Sequence, residues 1–215
     1  MSMTITAADY LDYIEEVAKR IKDSKDYITS LDAATGDGDH WVNMNKGFQT
    51  LVENRADFAD MPLSGMFKSM AMKIMNSVGG SSGVLYGSAY LAAAKVCAGS
   101  ECIDCELLCK ILEAMATAIM ERGNCRPGQK TMLDAIVPAA EAFRAGLDAQ
   151  MEETALLTSV GAAATAGAQS TIDMEAVHGR ASYQSSKGVG HLDPGAVTMA
   201  YQIETLTSFI CTHKV

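Results

Sequence analysis

Thr6-Ala7-Ala8-Asp9-Tyr10-Leu11-Asp12-Tyr13-Ile14-Glu15-Glu16-Val17-Ala18-Lys19-Arg20-Ile21 decides the fold class. Tyr10, Leu11, Ile14, Val17, Ala18 and Ile21 recur at the three- and four-residue steps of an α-helix, which lines them up as one apolar stripe opposite a charged face. Thr6, followed three residues later by Asp9, predicts an N-terminal cap with an acid in the first turn, where the helix dipole favours negative charge.

The same period continues through Tyr27-Ile28-Leu31, Met44-Phe48-Leu51, Met66-Phe67-Met70-Ile74, Leu107-Leu108-Ile111-Leu112-Met115-Ile119, and from Val197, Ala200 and Tyr201 to Phe209. No stretch of useful length alternates as a strand would. Turn-forming residues break the pattern at Thr35 to Gly38, Asp60 to Gly65, Gly79 to Gly83, Gly123 to Gly128 and Gly179 to Gly195. The expectation is an all-α chain of about eight helices. No Pro- or Ser-rich linker and no shift of composition divides it, so residues 1–215 are read as a single domain. The small side chains of Val160 to Ala168 predict close helix–helix approach, and Pro138, inside the apolar run Met132 to Leu147, predicts a kink or an early-turn start.

Twenty-six acidic against 17 basic residues leave a formal charge of −9, which argues against nucleic acid or an anionic membrane as a general partner. Phosphate, if bound, must be held locally by metal and backbone. The N-terminus turns acidic before any apolar signal region, and no run approaches the length of a membrane span. A soluble, cytoplasmic chain with its six cysteines reduced is the expectation. Cys102, Cys105 and Cys109 lack the second pair or histidine that zinc would require, and read as small apolar residues on a helix.

Three constellations carry chemistry. In Gly36-Asp37-Gly38-Asp39-His40, the carboxylates at alternate positions of an extended loop point to one side, and Asp32 in the preceding helix can join them. Oxygen ligands suit Mg²⁺, which takes a few carboxylates and leaves room for phosphate; a solvated helix stop uses the same residue types. Val78-Gly79-Gly80-Ser81-Ser82-Gly83-Val84 opens a helix with exposed amides and hydroxyls that suit phosphate oxygens, or merely caps the helix. Gly179-Arg180-Ala181-Ser182-Tyr183 and Gly190-His191-Leu192-Asp193-Pro194-Gly195-Ala196 frame a long loop in which Arg180 offers a fork of donors and Asp193 or Pro194 starts the last helix. Gly123 to Thr131 approximates a phosphate-binding P-loop but has one residue too many and a helix instead of a strand before it, so a P-loop fold is not expected, while contact of this loop with a nucleotide in another way stays open.

In this order, and with Asn43, Met44, Gly47, Phe48, Leu85, Tyr86 and Gly87, these motifs resemble the nucleotide-binding L subunit of dihydroxyacetone kinase, over essentially the whole chain. The resemblance implies an antiparallel barrel of about eight helices with the nucleotide at one end. It implies Asp32, Asp37 and Asp39 as ligands of Mg²⁺, read as two ions. His40, Trp41, Val42 and Asn43 would flank ADP or ATP, and Ser81 and Ser82 would hold phosphate. Gly123 and Met132 would lie along the adenine, and Arg180, Asp193, Pro194 and Gly195 would complete the site. Two departures stand out: Trp41 takes a position that often carries glycine, and Val84 one that often carries proline.

The family further implies a kinase that is incomplete alone. The ketose sits on a separate K subunit, and a chain of this length resembles the version whose bound ADP is rephosphorylated by a phosphohistidine on an M subunit. An ATP-dependent kinase subunit for a ketose such as erythrulose, or a non-catalytic nucleotide-binding regulatory module, are the alternatives.

Overall fold

The computed structural model describes residues 3–213. Within them lie ten α-helices: α1 (Ala7–Asp23), α2 (Lys25–Thr35), α3 (His40–Glu53), α4 (Arg55–Phe58), α5 (Leu63–Ser77), α6 (Gly80–Val96), α7 (Cys105–Gly123), α8 (Leu133–Asp148), α9 (Glu153–Ser170) and α10 (Pro194–His213). Two 3₁₀ turns, Thr171–Asp173 and Arg180–Tyr183, lie in the last long connection. There is no strand among the described residues, only an isolated bridge between Ile5 and Ile103. The Thr6–Asp9 cap is a reciprocal capping box: Thr6 N donates to Asp9 Oδ2 (2.9 Å), and Asp9 N donates to Thr6 Oγ1 (3.3 Å).

Eight helices form a closed ring in the order α1, α3, α5, α6, α7, α8, α9, α10 and back to α1. Successive members run in opposite directions, which brings the N-terminal ends of α3, α6, α8 and α10 to one end of the ring. The stripe read in the sequence faces the ring interior, where Tyr10, Phe67 and Tyr90 meet edge to face or tilted beside fully buried Phe48, Tyr86 and Phe143. The helices α2 and α4 stand outside the ring, so eight of the ten helices build it.

Small residues do in the structure what the sequence predicts. Along α9, a Cβ on Gly167 would fall 2.0 Å from the carbonyl oxygen of Asp134 on α8. Pro138 has no N–H to give to that carbonyl four residues before it, so the oxygen is faced by the glycine of the next helix instead. The proline thus sits within α8 rather than at its start.

Candidate functional site at one end of the ring

The carboxylates are assembled by short-range geometry. Asp32, near the end of α2, is buried, and its Oδ2 accepts a hydrogen bond from the His40 amide at 2.9 Å. Gly36 lies so close that a Cβ would come within 2.4 Å of Asp32 Oδ1. Gly38 takes a left-handed backbone (φ 77°) that few other residues adopt, and this turn carries Asp37 and Asp39 back toward Asp32. One oxygen from each of the three acids lies within 4.8 Å of the others, the single group of metal-holding geometry among the described residues. Three like charges this close repel one another, and a cation between them relieves that repulsion. In the structure Arg180 partly supplies that relief, with Nη2 2.6 Å from Asp37 Oδ2.

Across the cleft, Ser81 and Ser82 occupy the first turn of α6. No side chain caps this helix, so its leading amides are available to an anion. Two contacts fix the turn: Asn43 Oδ1 accepts from Gly79 N at 3.2 Å, and Gly83 packs where a Cβ would lie 2.3 Å from the Val78 carbonyl oxygen. The amino ends of α3, α6, α8 and α10 all reach the cleft, and their dipoles favour negative charge there despite the acidic chain.

The opposite wall is apolar and well ordered by hydrogen bonds. Gly123 ends α7, and Met132 precedes α8; with Leu85, Ile119 and Cys125 they give the cleft a face suited to a flat organic ring. Buried Lys130 donates to the carbonyls of Thr171 and His191, the latter at 2.5 Å, and so clamps the long connection against the start of α8. Burial lowers the Lys130 pKa, opposed by Asp193, Asp134 and Asp173. Asp193 caps α10, its Oδ2 accepting from Ala196 N at 2.7 Å, and enclosure raises its pKa to about 7 against the pull of that amide and of Lys130. Burial likewise lowers His40 to about 4, outweighing the nearby Asp32 carboxylate, so the ring is a neutral imidazole at pH 7.

The cleft, of about 650 Å³, brings together Asp32, Asp37, Asp39, His40, Ser81, Ser82, Gly123, Met132, Arg180, Asp193, Pro194 and Gly195. It does not include Trp41, Val42 or Asn43. Consecutive residues on a helix point about 100° apart, so being next to His40 turns them away. The indole of Trp41 donates to the Ile21 carbonyl at 2.9 Å on the flank of the ring, Val42 is exposed on α3, and Asn43 holds Gly79. Lining residues that sequence reasoning did not single out are Lys130, Thr131, Arg122 and His178, whose Nε2 lies 3.1 Å from Gln129 Oε1. For Lys130 a signal existed in Gly128-Gln129-Lys130-Thr131, the rejected near-match to a P-loop.

These residues suit a divalent cation with phosphate. The donors are hard oxygens at converging positions, one of them buried, and an arginine already balances part of their charge. Fold and site together define an all-α ring with a carboxylate-bearing, anion-accepting cleft at one end.

Comparison with known proteins agrees. Residues 34–208 match the DAK2 domain, and the chain belongs to this family, as a dihydroxyacetone kinase L-subunit type of chain. It is 32% identical over 204 residues to the "PEP-dependent dihydroxyacetone kinase, ADP-binding subunit DhaL" of Escherichia coli, covering 95% of this chain and 97% of that one. It is 37% identical over 191 residues to the "PEP-dependent dihydroxyacetone kinase 1, ADP-binding subunit DhaL" of Listeria innocua, covering 88% and 90%. Among solved structures, the dihydroxyacetone kinase from C. freundii in complex with AMP-PNP and Mg²⁺ superposes with a TM-score of 0.70 at 26% identity, over 92% of this chain; the chain spans only 33% of that kinase.

Proposed function

We propose that this chain is the nucleotide-binding subunit of a dihydroxyacetone kinase, acting through residues 1–215 as one domain. The observation that carries the reading is the meeting of Asp32, Asp37 and Asp39 with the uncapped amino end of α6 across one cleft. The names of the E. coli and Listeria relatives and the AMP-PNP and Mg²⁺ of the C. freundii complex support it.

In this reading Asp32, Asp37 and Asp39 hold Mg²⁺, two ions being expected, and the metal supplies neutralisation of charge on the phosphates. Ser81 and Ser82 with the first amides of α6 hold phosphate oxygens by hydrogen bonds that need no lysine. Gly123, Met132, Leu85 and Ile119 seat the base, and the α10 start at Asp193, Pro194 and Gly195 closes the site beside His40. Arg180 exchanges its partner Asp37 for a phosphate oxygen, a charge-assisted bond of the same kind. Positioning and electrostatics are what phosphoryl transfer asks of a protein, and these residues contribute both.

The ketose is held by a separate K subunit, the acceptor hydroxyl being brought to the open mouth of the cleft. ADP remains bound as a coenzyme and is rephosphorylated by a phosphohistidine M subunit in the cytoplasm, a mode supported by the PEP-dependence in the relatives' names. The test is twofold. Mg-ADP is expected to raise the melting temperature of the nucleotide-free chain, and EDTA to abolish the rise; no shift would overturn the site. With K and M subunits, phosphoenolpyruvate and the general phosphotransferase proteins, dihydroxyacetone phosphate should form without added ATP. Formation only with exchanging ATP would refute the coenzyme mode.

A further inference from the structure

Behind the cleft wall a buried hydrogen-bonded chain runs from the ring interior to His40. Gln202 Nε2 donates to the Thr198 carbonyl at 2.9 Å and to the Tyr86 hydroxyl at 2.8 Å. The backbone carbonyl can only accept, so the amide orientation is fixed with its NH₂ toward both partners. Tyr86 is buried on α6, so Gln202 links that helix to α10 beside Thr198. The Thr198 hydroxyl in turn donates back along α10 to the carbonyls of Pro194 and Gly195, at 3.0 and 3.2 Å. Its one hydrogen is directed at those carbonyls, which leaves the oxygen's lone pairs to accept. His40 Nε2 lies 2.9 Å from this oxygen.

We propose that Thr198, its hydroxyl turned back on the Pro194 and Gly195 carbonyls, is a positioning residue that holds His40 as its Nε2–H tautomer and so makes His40 a hydrogen-bond acceptor toward the ligand. The polarity follows from counting: a Thr198 oxygen that has already given its hydrogen can only accept from Nε2. A neutral imidazole with hydrogen on Nε2 has a bare lone pair on Nδ1, and among the described residues nothing bonds to that nitrogen. His40 lines the cleft, so Nδ1 is available to an O–H of the bound molecule, either a hydroxyl of the sugar or a metal-bound water. The opposite tautomer would present N–H at the same point and meet such a donor with another donor. Thr198 and Gln202 touch no substrate and act only through His40. The functional half of this inference rests on the nucleotide-subunit reading; the tautomer does not.

The test uses the whole chain labelled with ¹⁵N-histidine, the His40 signals among its four histidines being assigned with His40→Gln. Long-range ¹H–¹⁵N correlation at neutral pH is expected to show protonated Nε2 and unprotonated Nδ1. Protonated Nδ1, or an even mixture, in the wild-type chain would overturn the proposal. Thr198→Val keeps the shape but removes the acceptor; it should admit the second tautomer and weaken Mg-ADP about tenfold, while Thr198→Ser restores both. Thr198→Val with an unchanged spectrum and unchanged affinity would also overturn it. Should that variant not fold, Thr198→Ala removes the same acceptor with less bulk and is expected to raise the second tautomer's share; an unaltered spectrum would overturn the proposal. A wild-type chain that shows the Nε2–H tautomer yet binds no Mg-ADP supports the tautomer assignment and refutes the nucleotide reading, so the two fail separately.

Discussion

Replacing Gly83 by alanine tests the link between helix packing and the anion site most directly. The new Cβ would meet the Val78 carbonyl oxygen at 2.3 Å, about 1 Å inside ordinary contact, which begins near 3.4 Å. Overpacking costs about 1–3 kcal/mol, and a clash with backbone, which cannot swing aside, belongs at the upper end. Alanine's better helix propensity returns about 1 kcal/mol. The net expectation is a loss of about 2 kcal/mol, or a melting point lower by about 4–8 °C in a chain of this size. The strain falls on Val78 and Gly79, which set the approach to Ser81 and Ser82, so the Mg-ADP-induced rise in melting temperature should shrink as well. Gly65→Ala on α5 is the internal control: its nearest neighbours would be at 3.5 Å, and it should be neutral or stabilising by a few tenths of a kcal/mol. Scanning calorimetry on the three proteins, with and without ligand, reads both effects. A Gly83→Ala chain that melts no lower than wild type and responds fully to Mg-ADP would refute the close-approach argument.

Asp37→Asn should cut Mg-ADP affinity at least tenfold in isothermal titration and flatten its dependence on Mg²⁺, while leaving the ligand-free melting point near that of wild type, because Asp37 is exposed. Lys130→Met strands the His191 carbonyl and leaves the Thr171 carbonyl with the Met174 amide alone, and should cost about 1–3 kcal/mol, with faster amide hydrogen exchange concentrated in residues 171–193. pH dependence in metal-free protein has two opposed parts. His40, lowered to about 4 from an ordinary 6.5, contributes stability that is full above 6.5 and is lost as pH falls toward 4. Asp193, raised to about 7 from 3.8, contributes stability that is full below 3.8 and is lost as pH rises toward 7. Between pH 4 and 6.5 the two slopes offset one another in wild type, so Asp193→Asn should gain a stability that climbs with pH in that window, and His40→Gln one that declines; equal profiles for all three in urea titrations would contradict both shifts.

The helices were readable because their burial is one-sided: a stripe such as Tyr10 to Ile21 must face something, and its period names the element. Ring closure was not, since nothing in the spacing of α1 says that it packs between α3 and α10. Arg55–Phe58 is too short to show a period at all. At the site, Asp32, Asp37 and Asp39 were legible because glycines at 36 and 38 permit a tight turn that other residues resist, and so mark where the acids can converge. Lys130 was hidden for the opposite reason. Its partners are carbonyls 41 and 61 residues away, and a carbonyl carries no residue identity for a sequence to display. Trp41 and Val42 were drawn in by adjacency to His40, where helical rotation and the Ile21 carbonyl carry them elsewhere.

Pro138 and Gly167 have one more implication. A proline that leaves a carbonyl unclaimed and a glycine that backs onto that carbonyl are two halves of a single solution, written 29 positions apart. Neither half is useful alone: an N–H restored at 138 would compete for an oxygen already covered, and a side chain added at 167 would prise α8 from α9. Change at the two positions should therefore be strongly non-additive, so that a sequence drifting under selection would exchange this pair together or keep it, much as a dovetail is recut on both boards or on neither.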